Sequence, residues 1–195
     1  MALEQRVYSV LVVTVAEKFV EQVLPLMPGA RYYPVDKAGS VNEARRKIAD
    51  RSYDIILINT PLPDDFGVRL AMDVTSSTGT AVLLFVRTDF YDAVYEKACS
   101  SGVFVLRKPT SPATISQSLD WLCATRERMR RMEKKSVSLQ EKMDEIKLVN
   151  RAKWVLITHL NMTEEAAHRY IEKQAMDRCV SKRAVAEDIL RTYNE

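Results

Sequence analysis

A chain of 195 residues, 47% hydrophobic and 28% charged with five glycines and seven prolines, has the balance of one or two folded domains and excludes a low-complexity polymer. It contains no run of about 18 apolar residues, so no membrane span is expected, and the opening Met1–Arg6 lacks the basic-then-apolar layout of a secretory leader, so a cytoplasmic protein is expected. The net charge of +3 is uneven: 13 Lys/Arg stand against 14 Asp/Glu in residues 1–120, and 16 against 12 in residues 121–195, which permits a nucleic-acid partner for the C-terminal part without requiring one.

The first 115 residues or so alternate strand-like and helix-like segments. Val7–Val13 is a β-branched, apolar run, and Ala16–Met27 has helical spacing up to a stop at Pro28-Gly29. Tyr32–Val35 is a second short strand. Ser40 is placed to cap a helix over Val41–Asp50, with Glu43 as its capping-box partner. Tyr53–Asn59 is a continuous apolar run of the kind buried on both faces of a parallel sheet. The loop Pro61–Gly67 leads to a helix over Val68–Thr75, a strand over Ala81–Val86, a helix over Asp89–Ser100 and a fifth strand over Val103–Arg107, ended by Lys108-Pro109. Five strand–helix pairs imply an α/β domain with a five-stranded, parallel, doubly wound sheet, whose function sits at the carboxyl ends of the strands.

Beyond about Ile115 no strand-like run remains. Leu122, Thr125, Met129, Met132, Ser136, Leu139, Met143 and Ile146 fall at alternating three- and four-residue steps, a heptad seam in which Thr125 and Ser136 are polar. A continuous helix from Ser116 to Asn150 would span roughly 50 Å, and a narrow seam on such a helix calls for a partner. A parallel coiled-coil homodimer is expected, with packing on the chain's own domains as the other reading; Leu122, Met129, Met132, Leu139, Met143 and Ile146 are its apolar members. The last segment reads as a three-helix bundle: the end of the long helix through Leu160, a helix capped by Thr163 with Glu164 and Glu165 in its first turn, and a helix capped by Ser181. The expected division is residues 1–117, a stalk over 118–145, and 146–195.

Cys99, Cys123 and Cys179 are scattered, and no pair has metal-ligand spacing. His159 and His168 have no acidic or cysteine partners at ligand spacing, so they read as surface or capping groups. No metal, cofactor or catalytic residue is expected, and the chain reads as a non-enzyme.

The run Asp54–Pro63 at the third strand and Lys108-Pro109 at the fifth make residues 7–118 resemble the receiver domain of two-component response regulators. What that resemblance implies is an aspartyl phosphoacceptor, acidic Mg²⁺ ligands after the first strand and a Thr/Ser switch. The matching positions here are Asn59, Thr14 with Val15, and Val86, and only Lys108 keeps its type. An amide is a far poorer nucleophile than a carboxylate, so a pseudo-receiver that is not phosphorylated by the usual route is expected, free for protein contact, dimerisation or sensing. Asp64 and Asp65 read as solvated loop charges.

Residues 146–190 resemble the ANTAR domain, the RNA-binding module of bacterial transcription antiterminators, through Asn150-Arg151-Ala152-Lys153, Leu160–Glu164, Ala167–Tyr170, Gln174–Arg178 and Val185-Ala186. The resemblance implies binding to paired stem-loops in a nascent leader transcript, which prevents an overlapping terminator hairpin. Cations would meet phosphate, and aromatic or amide groups would meet bases. The candidates are Arg151, Ala152 and Lys153 on the first helix, Tyr170, Lys173 and Gln174 on the second, and Arg178, Lys182 and Arg183 at the turn into the third. On their own, cations on a helix are usually just a solvated face, and Tyr170 is as readily half-buried core as a stacking platform; Ala152 would be small to allow close backbone approach. Trp154 stands where that family commonly has a small residue, and either changes the local surface or stacks on a base. The partners expected are RNA, a second copy of the chain, and a sensor or regulatory protein on the first domain, with no membrane. An atypical DNA-binding response regulator and a protein-interaction adaptor remain alternatives.

Overall fold

The computed structural model describes residues 6–193. The opening Met1–Gln5, part of the segment on which the leader expectation rests, lies outside them. The strands are β1 (Tyr8–Val13), β2 (Tyr32–Ala38), β3 (Ile55–Asn59), β4 (Ala81–Arg87) and β5 (Phe104–Lys108). The helices are α1 (Glu17–Val23), α2 (Val41–Asp50), α3 (Val68–Ser77), α4 (Thr88–Cys99), α5 (Pro112–Leu160), α6 (Glu164–Asp177) and α7 (Lys182–Thr192). The chain divides into two compact units after Arg131.

In the first unit the sheet order is β2-β1-β3-β4-β5, with every pair parallel. This is the doubly wound α/β arrangement that the strand–helix alternation implies. Every residue of β3 is buried because both faces are covered. Ile56 and Ile58 point into the layer that holds Val41 and Ala44 of α2, Leu70, Ala71 and Val74 of α3, and Val94 and Ala98 of α4. Ile55 and Leu57 point into the opposite layer, with Phe19 and Val23 of α1 and Ile115, Leu119, Leu122 and Cys123 of α5.

Two expectations are corrected here. The first helix ends at Val23 instead of Met27, and Leu24–Leu26 form a 3-10 turn. Pro25 is the reason: it lacks the N–H that an α-helix interior needs and tolerates only a first-turn position. Leu122, counted in the dimer seam, is fully buried in the layer beneath the sheet. It continues the stripe of Ile115 and Leu119, so the sheet takes the contact that a second copy was expected to supply. This layer draws on α5 as far as Cys123, past residue 117.

A polar clamp extends that attachment by two more turns. Asp54, just before β3, accepts from Arg126 Nε at 3.0 Å and from an Arg130 amino group at 2.6 Å through one oxygen. Its other oxygen accepts from the backbone N–H and the hydroxyl of Ser9 at 3.1 and 3.3 Å. Arg130 also pairs with Glu127 at 2.9 Å and lies over the Tyr8 ring, and Glu127 pairs with Arg6.

In the second unit, Ala152, Val155 and Leu156 of α5 close on Ala167, Ile171 and Ala175 of α6 and on Val185, Ala186, Ile189 and Leu190 of α7. The hydroxyl of Thr163 accepts from the Ala166 N–H and that of Ser181 from the Ala184 N–H, each at 3.2 Å. Both caps satisfy first-turn donors that the helix itself leaves open. Among the described residues no helix is long and apolar enough to cross a membrane.

Candidate functional site

The carboxyl end of the sheet brings Thr14, Asn59 and Lys108 together. Asn59 is buried at the last position of β3; its amide donates to Thr14 Oγ1 at 3.0 Å, and its carbonyl accepts from Lys108 Nζ at 2.7 Å. The ammonium can only donate, which fixes the orientation of the amide. Lys108 also donates to the Thr60 carbonyl, and Thr14 Oγ1 accepts from the Ala16 N–H at 3.1 Å. Burial, and then the nearby charge of Arg87, push the Lys108 amine below its ordinary range. Val15 is exposed and Val86 is fully buried in the core, so neither joins this network. The result is a closed, carboxylate-free set of hydrogen bonds with one cation. It offers neither an aspartyl nucleophile nor the hard-oxygen cluster that Mg²⁺ prefers, and the described residues contain no metal-binding cluster of three or more His, Cys, Asp or Glu.

The nearest loop acids are committed elsewhere. The two oxygens of Asp64 accept from the N–H groups of Val41 and Asn42, each at 2.9 Å, at the start of α2. Those bonds hold its carboxyl below the usual range. Asp65 accepts from the Gly67 N–H at 2.7 Å. Both are therefore structural acceptors and not merely solvated charges. The role of Asp64 was hidden because its donors lie 22 and 23 residues upstream. Gly67 closes the loop in a left-handed conformation, φ 82°, where a Cβ would come within 3.0 Å of the Ile58 side chain.

In the C-terminal bundle the candidate RNA-binding residues spread over more than one surface. Lys153 and Lys182 line a cleft of about 210 Å³ with Asn150 and His168. Tyr170, Gln174 and Arg178 line a second cleft of about 210 Å³ with Leu156, Leu160 and Tyr193. Most of the cations already hold a carboxylate: Lys153 with Glu164 at 3.0 Å, Lys182 with Glu172 at 2.5 Å, Arg178 with Asp188 at 2.6 Å, and Arg183 with Glu187 at 3.0 Å. Lys182, and then His168, hold the Glu172 carboxyl below its usual range. Arg151 and Lys173 are exposed, and the side chain of neither has an ion pair or hydrogen bond among the described residues. Ala152 is fully buried in the bundle core; its smallness serves the close packing of α5, and its side chain is not presented to a ligand. Of the seam residues beyond Leu122, Met129 is half-buried, while Met132, Leu139, Met143 and Ile146 are between 54% and 62% exposed.

Comparison with known proteins follows the same division. Residues 138–190 match the family model of the ANTAR domain. The chain is 26% identical over 161 residues to the transcriptional regulatory protein PdtaR of Mycobacterium tuberculosis, covering 83% of this chain and 78% of that protein. The signal receiver domain of an HD domain-containing protein from Pseudomonas fluorescens Pf-5 superposes with a TM-score of 0.57 at 19% identity, over 67% of this chain and 96% of its own. A two-component response regulator from Clostridium difficile gives a TM-score of 0.53 at 19% identity, over 60% of this chain and 96% of its own. At that identity the two structures speak for the fold alone. Residues 138–190 are thus an ANTAR domain, and they follow a domain of the response-regulator receiver fold.

Proposed function

We propose that this protein is a cytoplasmic, non-enzymatic regulator of transcription antitermination. In this reading the C-terminal bundle binds paired stem-loops in a leader transcript and keeps a terminator hairpin from forming. The observation that carries it is the ANTAR match over residues 138–190. The receiver-fold domain then acts without phosphorylation, since Asn59, Thr14 and Lys108 satisfy one another where phosphotransfer needs carboxylates. A second copy would pair along Met132, Leu139, Met143 and Ile146, bringing two bundles to two hairpins, and a sensor protein would act through the first domain.

The exposed ion pairs of Arg178, Lys182 and Arg183 do not oppose this reading. Exposed pairs are worth only about 0.2–1 kcal/mol, so a phosphate can take the place of a carboxylate at little cost. RNA binding should therefore be strongly salt-dependent. The test is binding of the purified protein to a panel of paired stem-loop RNAs, with duplex DNA and scrambled RNA as controls, at two salt concentrations. Selective binding of paired stem-loops that is weakened in Lys153→Ala/Arg178→Ala is the expected outcome. Equal binding to every nucleic acid would reduce the surface to a basic patch, and no binding would favour the adaptor reading.

A further inference from the structure

Trp154 lies 68% exposed on α5 and makes no ring contact among the described residues. At 100° per residue, Lys147, Arg151, Trp154 and Thr158 follow one another on one side of the helix in steps of four, three and four, and all are exposed. The other side carries Ala152, Val155 and Leu156 into the bundle core. This face is therefore separate from the two clefts that hold Lys153 with Lys182 and Tyr170 with Arg178.

Its chemistry differs from theirs as well. Arg151 sits one turn before the ring, where side chains three apart are neighbours, and it has no carboxylate partner among the described residues. Lys147 lies one turn further back, with only a long, exposed contact of 3.7 Å to Asp144. An open indole beside an uncommitted guanidinium has the chemistry to stack a base and meet a phosphate, a combination that proteins binding single-stranded nucleic acid use. A second copy of the chain fits this face less well. The apolar seam stops at Ile146, and the next two positions in its spacing are Asn150 and Lys153, with Lys153 bonded to Glu164. Trp154 therefore stands beyond the stretch of α5 that a coiled coil would cover.

We propose that Trp154 is a platform on which one unpaired base of a stem-loop RNA stacks, with Arg151 holding an adjoining phosphate. This rests on the RNA-binding reading above and adds a base-contacting residue on a third surface of the bundle. The chain has two tryptophans, so Trp121→Phe leaves Trp154 as the single indole reporter in an otherwise intact protein. Emission is titrated with a paired stem-loop RNA and with the same RNA carrying abasic loop positions.

The expected result is quenching by the intact loop and not by the abasic one. Affinity should fall about tenfold or more in Trp154→Ala and largely recover in Trp154→Phe. Arg151→Gln should weaken binding and flatten the salt dependence by about one contact. Stem-loop binding of undiminished strength in Trp154→Ala overturns the platform and leaves the RNA reading standing. Absence of stem-loop binding by the unmodified protein overturns both. Quenching that grows with protein concentration without RNA, alongside a rise in sedimenting mass lost in Trp154→Ala, assigns the ring to a second copy and overturns the proposal.

Discussion

Burial alone would raise the pKa of Asp54. The hydrogen bonds from Arg126 and the Ser9 N–H, and the charge of Arg130, outweigh it and hold the carboxyl below its usual range. The sign follows from the reference state: in the unfolded chain this group titrates near about 3.9. The clamp therefore stabilises fully above that pH and is lost as pH falls through the depressed folded value. Asp54→Asn should cost about 1–3 kcal/mol at neutral pH, seen as a lower thermal midpoint. The gap to the unmodified protein should close as the melts are repeated below about pH 4; a gap that persists at low pH would place the cost in packing. Legibility at this scale depended on distance along the chain. Asn59 and Lys108 stood at the ends of strands where topology concentrates chemistry. The clamp of Asp54 with Arg126 and Arg130 carries no local signal, because 72 and 76 residues separate the partners.

Among the elements, α5 shows what a heptad pattern can and cannot say. Three- and four-residue spacing marks an apolar stripe but does not name what lies across from it. Leu122 belongs to the stripe and packs beneath the sheet, whereas Leu139 and Met143 belong to it and face outward. The exposed part is where dimerisation can be tested. Leu139→Lys/Met143→Lys should sediment as a monomer and bind stem-loop RNA more weakly than the unmodified protein, with helix content unchanged. A double variant that stays dimeric and binds normally would remove the stalk from the mechanism. The bundle helices were readable at their starts, because Thr163 and Ser181 signal caps locally. The end of α1 at Val23 has an equally local signal in Pro25, three residues before the stronger Pro28-Gly29 stop.

For the molecule as a whole, the sequence pattern carried the parallel sheet and the helical C-terminal unit, because hydrophobic period and strand–helix alternation survive without any knowledge of contacts. It did not carry the spread of the candidate RNA-binding residues over separate surfaces, which depends on how three helices close on Ala152, Ile171 and Ala186. If the receiver-fold domain works without phosphotransfer, treatment of the full chain with acetyl phosphate and Mg²⁺ should leave its intact mass and its stem-loop affinity unchanged. A phosphorylated product, or a shift in affinity, would count against that independence.

The hydrogen bonds of Asp64 bear on what a metal-dependent phosphoacceptor would require of this site. Asn59→Asp would place a carboxylate at the end of β3, but it would meet Thr14 and Val15 where an ion needs acids. Asp64, a carboxylate in the loop after β3, cannot leave the first turn of α2 without giving up its bonds to the N–H groups of Val41 and Asn42. Building phosphotransfer into this site would therefore take several coupled changes, because the change that frees Asp64 also removes acceptors from the start of α2.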